Sequence, residues 1–125
     1  MTGGQMAPTT LPGQVTTTSP FGREVANVGY PMRMRELLSA LRTPAYIARV
    51  GVHTPRHIVE AKRAVKKAFT YQNQGRCFSL VEFLSTCPTN WGMTPVEATK
   101  WVQDNMVPYY PLGELKTPEQ EQNAD

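Results

Sequence analysis

Two short apolar runs separated by a capped amphipathic stretch constrain this chain more than any other feature of it. Ala45-Tyr46-Ile47-Ala48-Arg49-Val50 is apolar almost throughout, and so is Cys77-Phe78-Ser79-Leu80-Val81-Glu82-Phe83-Leu84. Neither alternates cleanly, which is the pattern of strands covered on both faces. Between them, Thr54-Pro55 has the form of a helix start, with Thr54 at the N-cap and Pro55 at N1. Ile58, Val59, Ala61, Ala64, Val65, Ala68 and Phe69 then recur at helical spacing. The run ends at Asn73-Gln74-Gly75, glycine being the usual stop. Strand, helix and strand in this order predict a βαβ unit in a parallel sheet and an α/β fold.

The flanks add helices. Met32, Met34, Leu37, Leu38 and Leu41 predict one from about Pro31 to Arg42, with proline at its start. Thr94-Pro95-Val96-Glu97 has the residues of a capping box and opens a helix to about Val107. Residues 1–30, rich in Gly, Pro, Thr and Gln, carry no hydrophobic period, and residues 116–125 read as a disordered polar tail. A chain of 125 residues with 40% hydrophobic content supports one domain, burying roughly two-thirds of its unfolded surface. The division is therefore a loop segment at 1–30, an α/β body at 31–115 and a tail at 116–125. Two strands make a poor independent sheet. The reading therefore expects a partner or a missing N-terminal half to complete it.

Several functions are disfavoured. The net charge is only +3, and Lys62, Arg63, Lys66 and Lys67 share what reads as the solvated face of a helix, not a nucleic-acid surface. No apolar run approaches the ~18 residues of a membrane span, and no signal peptide is visible, so the expected compartment is the cytoplasm. There a cysteine is a thiol or a metal ligand. Cys77 and Cys87 are too few for a complete zinc or iron–sulfur site, so any metal would be shared with residues outside this chain.

Ligands of open parallel sheets bind beyond the carboxyl ends of the strands. One such end is Ser85–Gly92, where Cys87-Pro88 is either a metal ligand or a buried thiol. Met1–Gln5 is either a glycine-rich phosphate-approaching loop or an ordinary turn. Cys77 opens a strand and reads as core. His53 and His57 lie four apart, but Thr54 stands where a zincin needs Glu, so both read as packing or surface histidines. Trp91 and Trp101 read as packing.

Four motifs in order make the pattern specific: MTGGQMAPTT at Met1–Thr10, TTTSPFGR at Thr16–Arg23, YIARV at Tyr46–Val50, and VEFLSTCPTNWGMTPVEA at Val81–Ala98. This series resembles the β subunits of 2-oxoacid:ferredoxin oxidoreductases, especially those acting on 2-oxoglutarate or branched-chain 2-oxoacids such as 2-oxoisovalerate. It covers the chain from Met1 to about Leu115.

The resemblance implies the C-terminal part of a doubly wound parallel-sheet domain that binds thiamine diphosphate and Mg²⁺, with residues 1–30 facing cofactor and partner. It implies oxidative decarboxylation of a 2-oxoacid to an acyl-CoA. Electrons pass through a [4Fe–4S] cluster to ferredoxin, and the thiamine cofactor acts as the electron sink. The implied partners are an α subunit, ferredoxin and coenzyme A, in an oligomer. Thr2, Gly3, Gly4 and Gln5 match the loop that follows the family's Mg²⁺–diphosphate motif, and Cys87 matches the fourth cluster ligand. The family's Gly-Asp-Gly motif, the Asn-containing segment after it and three further cluster cysteines have no counterpart here. The expectation is therefore half of a β subunit, inactive by itself. The competing expectation is a non-enzymatic α/β remnant that oligomerises or binds a partner subunit.

Overall fold

Strand β1 (Ala45–Gly51) is buried at every residue and forms the centre of a three-stranded sheet. The computed structural model describes residues 8–43 and 45–121. β1 pairs in parallel with β2 (Phe78–Leu84), in unbroken register from Ala45 opposite Phe78 to Gly51 opposite Leu84. Helix α3 (Pro55–Asn73) makes the crossover, so the βαβ unit forms as its sequence predicts. The Thr54 side chain accepts a hydrogen bond from the His57 amide, Pro55 occupies N1, and the chain turns away at Gly75 with φ +62°. That φ is one glycine adopts without the steric cost other residues meet.

Successive residues of a strand face opposite sides, and β1 uses both. Tyr46 and Ala48 pack with Tyr71, and Val50 packs with Ala61 and Ala64, all three partners lying on α3. Full burial of a side chain such as Ile47 is worth about 1.5–3 kcal/mol relative to exposure. Beyond the other face lie α4 (Pro88–Trp91), α5 (Pro95–Trp101), a π-helical turn (Val102–Met106) and a further helical turn (Val107–Tyr109). These bury Trp91, Ala98, Val102, Met106 and Tyr110 against Leu84 of β2 and Leu11 of the N-terminal segment. The Thr94–Glu97 capping box is present, with both reciprocal bonds made.

The structure departs from the sequence expectation in three places. The sheet is mixed: β3 (Gly113–Lys116) joins the free edge of β1 antiparallel, with an irregularity between Ile47 and Ala48. Gly-Glu-Leu-Lys has no apolar period to announce a strand. Its Glu114 carboxylate accepts from Tyr46 Oη at 2.8 Å and from Lys67 Nζ. Second, the polar stretch after it is tied down as far as the helical turn Pro118–Glu121. There the Glu119 carboxylate accepts from Tyr71 Oη at 2.9 Å and from Arg76.

Third, the helix expected at Pro31–Arg42 is only Met34–Ser39, and Met32, Leu37 and Leu41 are exposed while Arg35 is buried. Ionic groups anchor this helix along with its partly buried Met34 and Leu38. The described part of the N-terminal segment, which carries no hydrophobic period, is held by hydrogen bonds. The Gly13 amide donates to the Arg23 carbonyl and the Arg23 amide to the Gln14 carbonyl. The buried Arg23 guanidinium donates to the carbonyls of Val28, Gly29 and Tyr30. No helix among the described residues is long and apolar enough to cross a membrane.

Candidate functional site

The carboxyl end of β2 carries the loop that the sequence singles out. After Leu84 the chain runs through Ser85 and Thr86 to Cys87, the N-cap of α4, and Pro88 starts the helix. The helix ends after one turn at Gly92, in the left-handed region at φ +65°. Cys87 is half-buried, and Asn90 Nδ2 donates to its sulfur at 3.2 Å. The amide N–H is the donor and the sulfur its weak acceptor, so the bond fixes where the sulfur points. Asn90 is itself held by Thr17, whose amide donates to the Asn90 carbonyl at 3.0 Å. The Thr17 hydroxyl donates to Asn90 Oδ1 at 3.1 Å. Two of the four sequence motifs thus interlock at the cysteine. Trp91 packs on Trp101 with ring centroids 4.9 Å apart, which fixes the other side of the turn.

Cys77 does not join this site. It lies just before β2 and packs beside Tyr46, Ala48 and Tyr71, at the opposite end of the strand from Cys87. Seven strand residues between them separate the two sulfurs by roughly 20 Å or more at about 3.3 Å per residue. Among the described residues, no three His, Cys, Asp or Glu side chains converge on a point that could hold a metal ion. Thr2, Gly3, Gly4 and Gln5 lie outside the described residues.

Beneath the loop lies a group that sequence reasoning passed over. Arg49, in the middle of β1, is fully buried. Its guanidinium donates to both oxygens of Glu36, at 3.0 and 2.7 Å, and to Glu82 at 2.8 Å. The Tyr110 ring covers it, with the guanidinium carbon 4.9 Å from the ring centre. Arg35 adds a bond to Glu36 at 3.0 Å and another to the Gly113 carbonyl at 3.2 Å. The Arg49 bond pulls the Glu36 carboxyl down to about 2. Burial alone would lower the Arg49 pKa, yet the bonds to Glu36 and the charge of Glu82 leave it raised. The cluster joins the Met34–Ser39 helix to β1 and β2. Its one signal in the sequence is a charge inside an apolar strand, which must be paired wherever it is buried.

The histidines behave as packing residues. His53 and His57 stack with centroids 4.2 Å apart, and His53 Nε2 lies 2.7 Å from Gln103 Oε1 on the π-helical turn. Burial, offset in part by Gln103, lowers the His53 pKa.

Comparison with known proteins gives related sequences but no related structure: no family model matches, and no solved structure does. The ketoisovalerate oxidoreductase subunit VorA of Methanothermobacter marburgensis is 46% identical over 112 residues, 90% of this chain and 23% of VorA. The 2-oxoglutarate synthase subunit KorB of Archaeoglobus fulgidus is 37% identical over 105 residues, 84% of this chain and 35% of that protein. KorB of Methanocaldococcus jannaschii is 31% identical over 112 residues, 86% of this chain and 37% of that protein. The chain therefore spans about a quarter to a third of the length of the curated relatives it matches. At these identities over nearly all of its own length, the chain is homologous to a segment of 2-oxoacid:ferredoxin oxidoreductase subunits, the family its motifs resemble.

Proposed function

We propose that this chain works within a 2-oxoacid:ferredoxin oxidoreductase as the C-terminal part of its doubly wound, thiamine-diphosphate-binding β subunit, and that Cys87 is its ligand to a [4Fe–4S] cluster. The observation that carries the reading is the position of Cys87. It sits at the carboxyl end of a parallel strand, half-buried, with the Asn90 amide donating to its sulfur at 3.2 Å. Such a bond stabilises charge on a cluster-bound sulfur and bears on its potential.

Cys87 fits the role of one ligand, and the remaining ligands belong to other parts of the complex. In this reading Thr2, Gly3, Gly4 and Gln5 approach the diphosphate and Mg²⁺. When bound, the thiamine cofactor supplies the electron sink for decarboxylation and the cluster takes up the electrons. The role of this chain's own residues is to bind and orient: Asn90 and Thr17 hold the cysteine, and the Arg49 cluster ties β1 to β2. The acyl acceptor in this reading is coenzyme A and the electron acceptor ferredoxin. The higher identity to the ketoisovalerate enzyme subunit than to the 2-oxoglutarate ones favours a branched-chain 2-oxoacid. Phe21, Tyr30 and Leu37 are exposed large apolar side chains, which supports a surface covered by partner subunits.

The test is anaerobic cluster reconstitution of the chain together with the other subunits of the enzyme, followed by visible absorption and EPR after reduction. Cys87→Ser should remove or shift the cluster signal while Cys77→Ser leaves it unchanged. A cluster signal identical in both variants would refute the assignment. Assembly with the other subunits, but with no thiamine diphosphate bound, would favour the non-enzymatic partner-binding reading instead.

A further inference from the structure

The N-terminal segment, the end of β2 and Trp91 line a partly open cavity of about 90 Å³ that none of the roles above uses. Two polar atoms in its lining residues are buried and have no hydrogen-bond partner among the described residues: Thr10 Oγ1 and Trp91 Nε1. Thr10 is 3% exposed and Trp91 8%, so bulk water does not satisfy either. An unpaired buried polar group costs on the order of 1–3 kcal/mol. Two around one cavity identify a missing partner more readily than two separate defects. An indole N–H is a donor only, and a hydroxyl can donate. What fits between them is therefore an acceptor.

The rest of the lining narrows its chemistry. Leu84 and Met106 give apolar wall, and the exposed Ser85 lies at the rim. The Gln14 side-chain oxygen is taken by the Leu11 amide at 2.9 Å. Glu82 also lines the space, its carboxylate held by Arg49 at 2.8 Å. A carboxylate in the wall disfavours an anion, and the volume suits ordered water or a small molecule, a single water needing only about 10–15 Å³ of such space.

We infer that this cavity is a binding subsite for a neutral acceptor oxygen, held between the Thr10 hydroxyl and the Trp91 indole N–H and supplied either by ordered water or by the carbonyl of a small molecule. The site joins residues of the first and last sequence motifs, so its occupancy couples the N-terminal segment to the Cys87 turn.

The experiment is proton–nitrogen NMR of the isotope-labelled full chain, reading its two indole N–H resonances, with Trp101→Phe used to assign them. The Trp91 indole proton should show a direct cross-relaxation peak to long-lived water. Thr10→Val, which keeps shape and removes the hydroxyl, should weaken that peak, while Thr10→Ser should retain it and serves as the folding control. Acetone is then titrated as a carbonyl probe. A saturable shift confined to the Trp91 indole in wild type, reduced in Thr10→Val, assigns the subsite to carbonyl ligands. A water peak with no response to acetone assigns it to water. Absence of both in a folded chain overturns the inference.

Discussion

Thr17 and Asn90, 73 residues apart in sequence, are joined by a backbone bond of 3.0 Å and a side-chain bond of 3.1 Å. Because Asn90 also donates to Cys87 Sγ, the N-terminal segment controls the turn that presents the cysteine. Asn90→Ala removes both side-chain bonds and spares the backbone one. The expected result is a loss of about 1–2 kcal/mol in denaturant unfolding. Iodoacetamide should also label Cys87 faster, with Cys77 as internal reference. An unchanged Cys87 rate would show that the turn is held by Trp91 and the helix alone.

The Arg49 cluster gives a prediction in acid. The Glu36 carboxyl is held at about 2 against an ordinary 4.5, chiefly by the Arg49 bond. A depressed folded-state pKa means that the unfolded chain takes up the proton first. The stabilisation is therefore full above pH 4.5 and is lost as the pH falls toward 2. The shift sets an upper scale of about 3 kcal/mol. Glu36→Gln should flatten the stability curve across this window, and thermal melts at stepped pH will read it. Arg49→Leu leaves two carboxylates facing a buried apolar surface and should cost about 3–5 kcal/mol at neutral pH.

Gly22 tests the N-terminal segment directly. Its φ is +86°, and a Cβ there would stand 2.8 Å from the Gly13 carbonyl oxygen. Gly29 has a similar φ of +72° but nothing within 4 Å of a Cβ. Gly29→Ala should cost about 1–3 kcal/mol for its backbone alone, since φ +72° with ψ 176° is a region that glycine almost alone adopts. Gly22→Ala should cost clearly more, because one strand of the loop must move. Equal melting temperatures for the two variants would mean that the Gly13–Arg23 pairing is loose.

The parts of this fold legible in the sequence are those that local chemistry determines. Thr54-Pro55 and Thr94-Pro95-Val96-Glu97 satisfy their own helix ends, and the two apolar runs pair because one helix of correct length joins them. β3 was not legible: Gly-Glu-Leu-Lys becomes a strand only because the free edge of β1 accepts it and Tyr46 and Lys67 hold its Glu114. The same reason hid the burial of Arg35 and the exposure of Leu37, since the partner that turns the helix, Arg49, lies in another element. Cys87 was found by motif. The Asn90–Thr17 support around it needs contacts across most of the chain.

Gly51 and His53 supply the last prediction. A Cβ on Gly51 would meet Cε1 and Nδ1 of His53 at 2.6 Å, so Gly51→Ala must displace the ring. Displacement breaks the 2.7 Å contact with Gln103, which ties the end of β1 to the π-helical turn. The pH dependence separates this from general damage. Burial lowers the His53 pKa below 6.5 in the folded chain. The unfolded chain therefore protonates first, and stability present above 6.5 declines as the pH falls toward the folded value. His53→Gln should lose that decline, and Gly51→Ala, by freeing the ring to solvent, should reduce it while lowering stability at every pH. Chemical unfolding at stepped pH between 7.5 and 5.5, roughly the range in which histidine titrates, will show whether the wild-type slope disappears in both variants. A slope unchanged in His53→Gln would refute the assignment to His53.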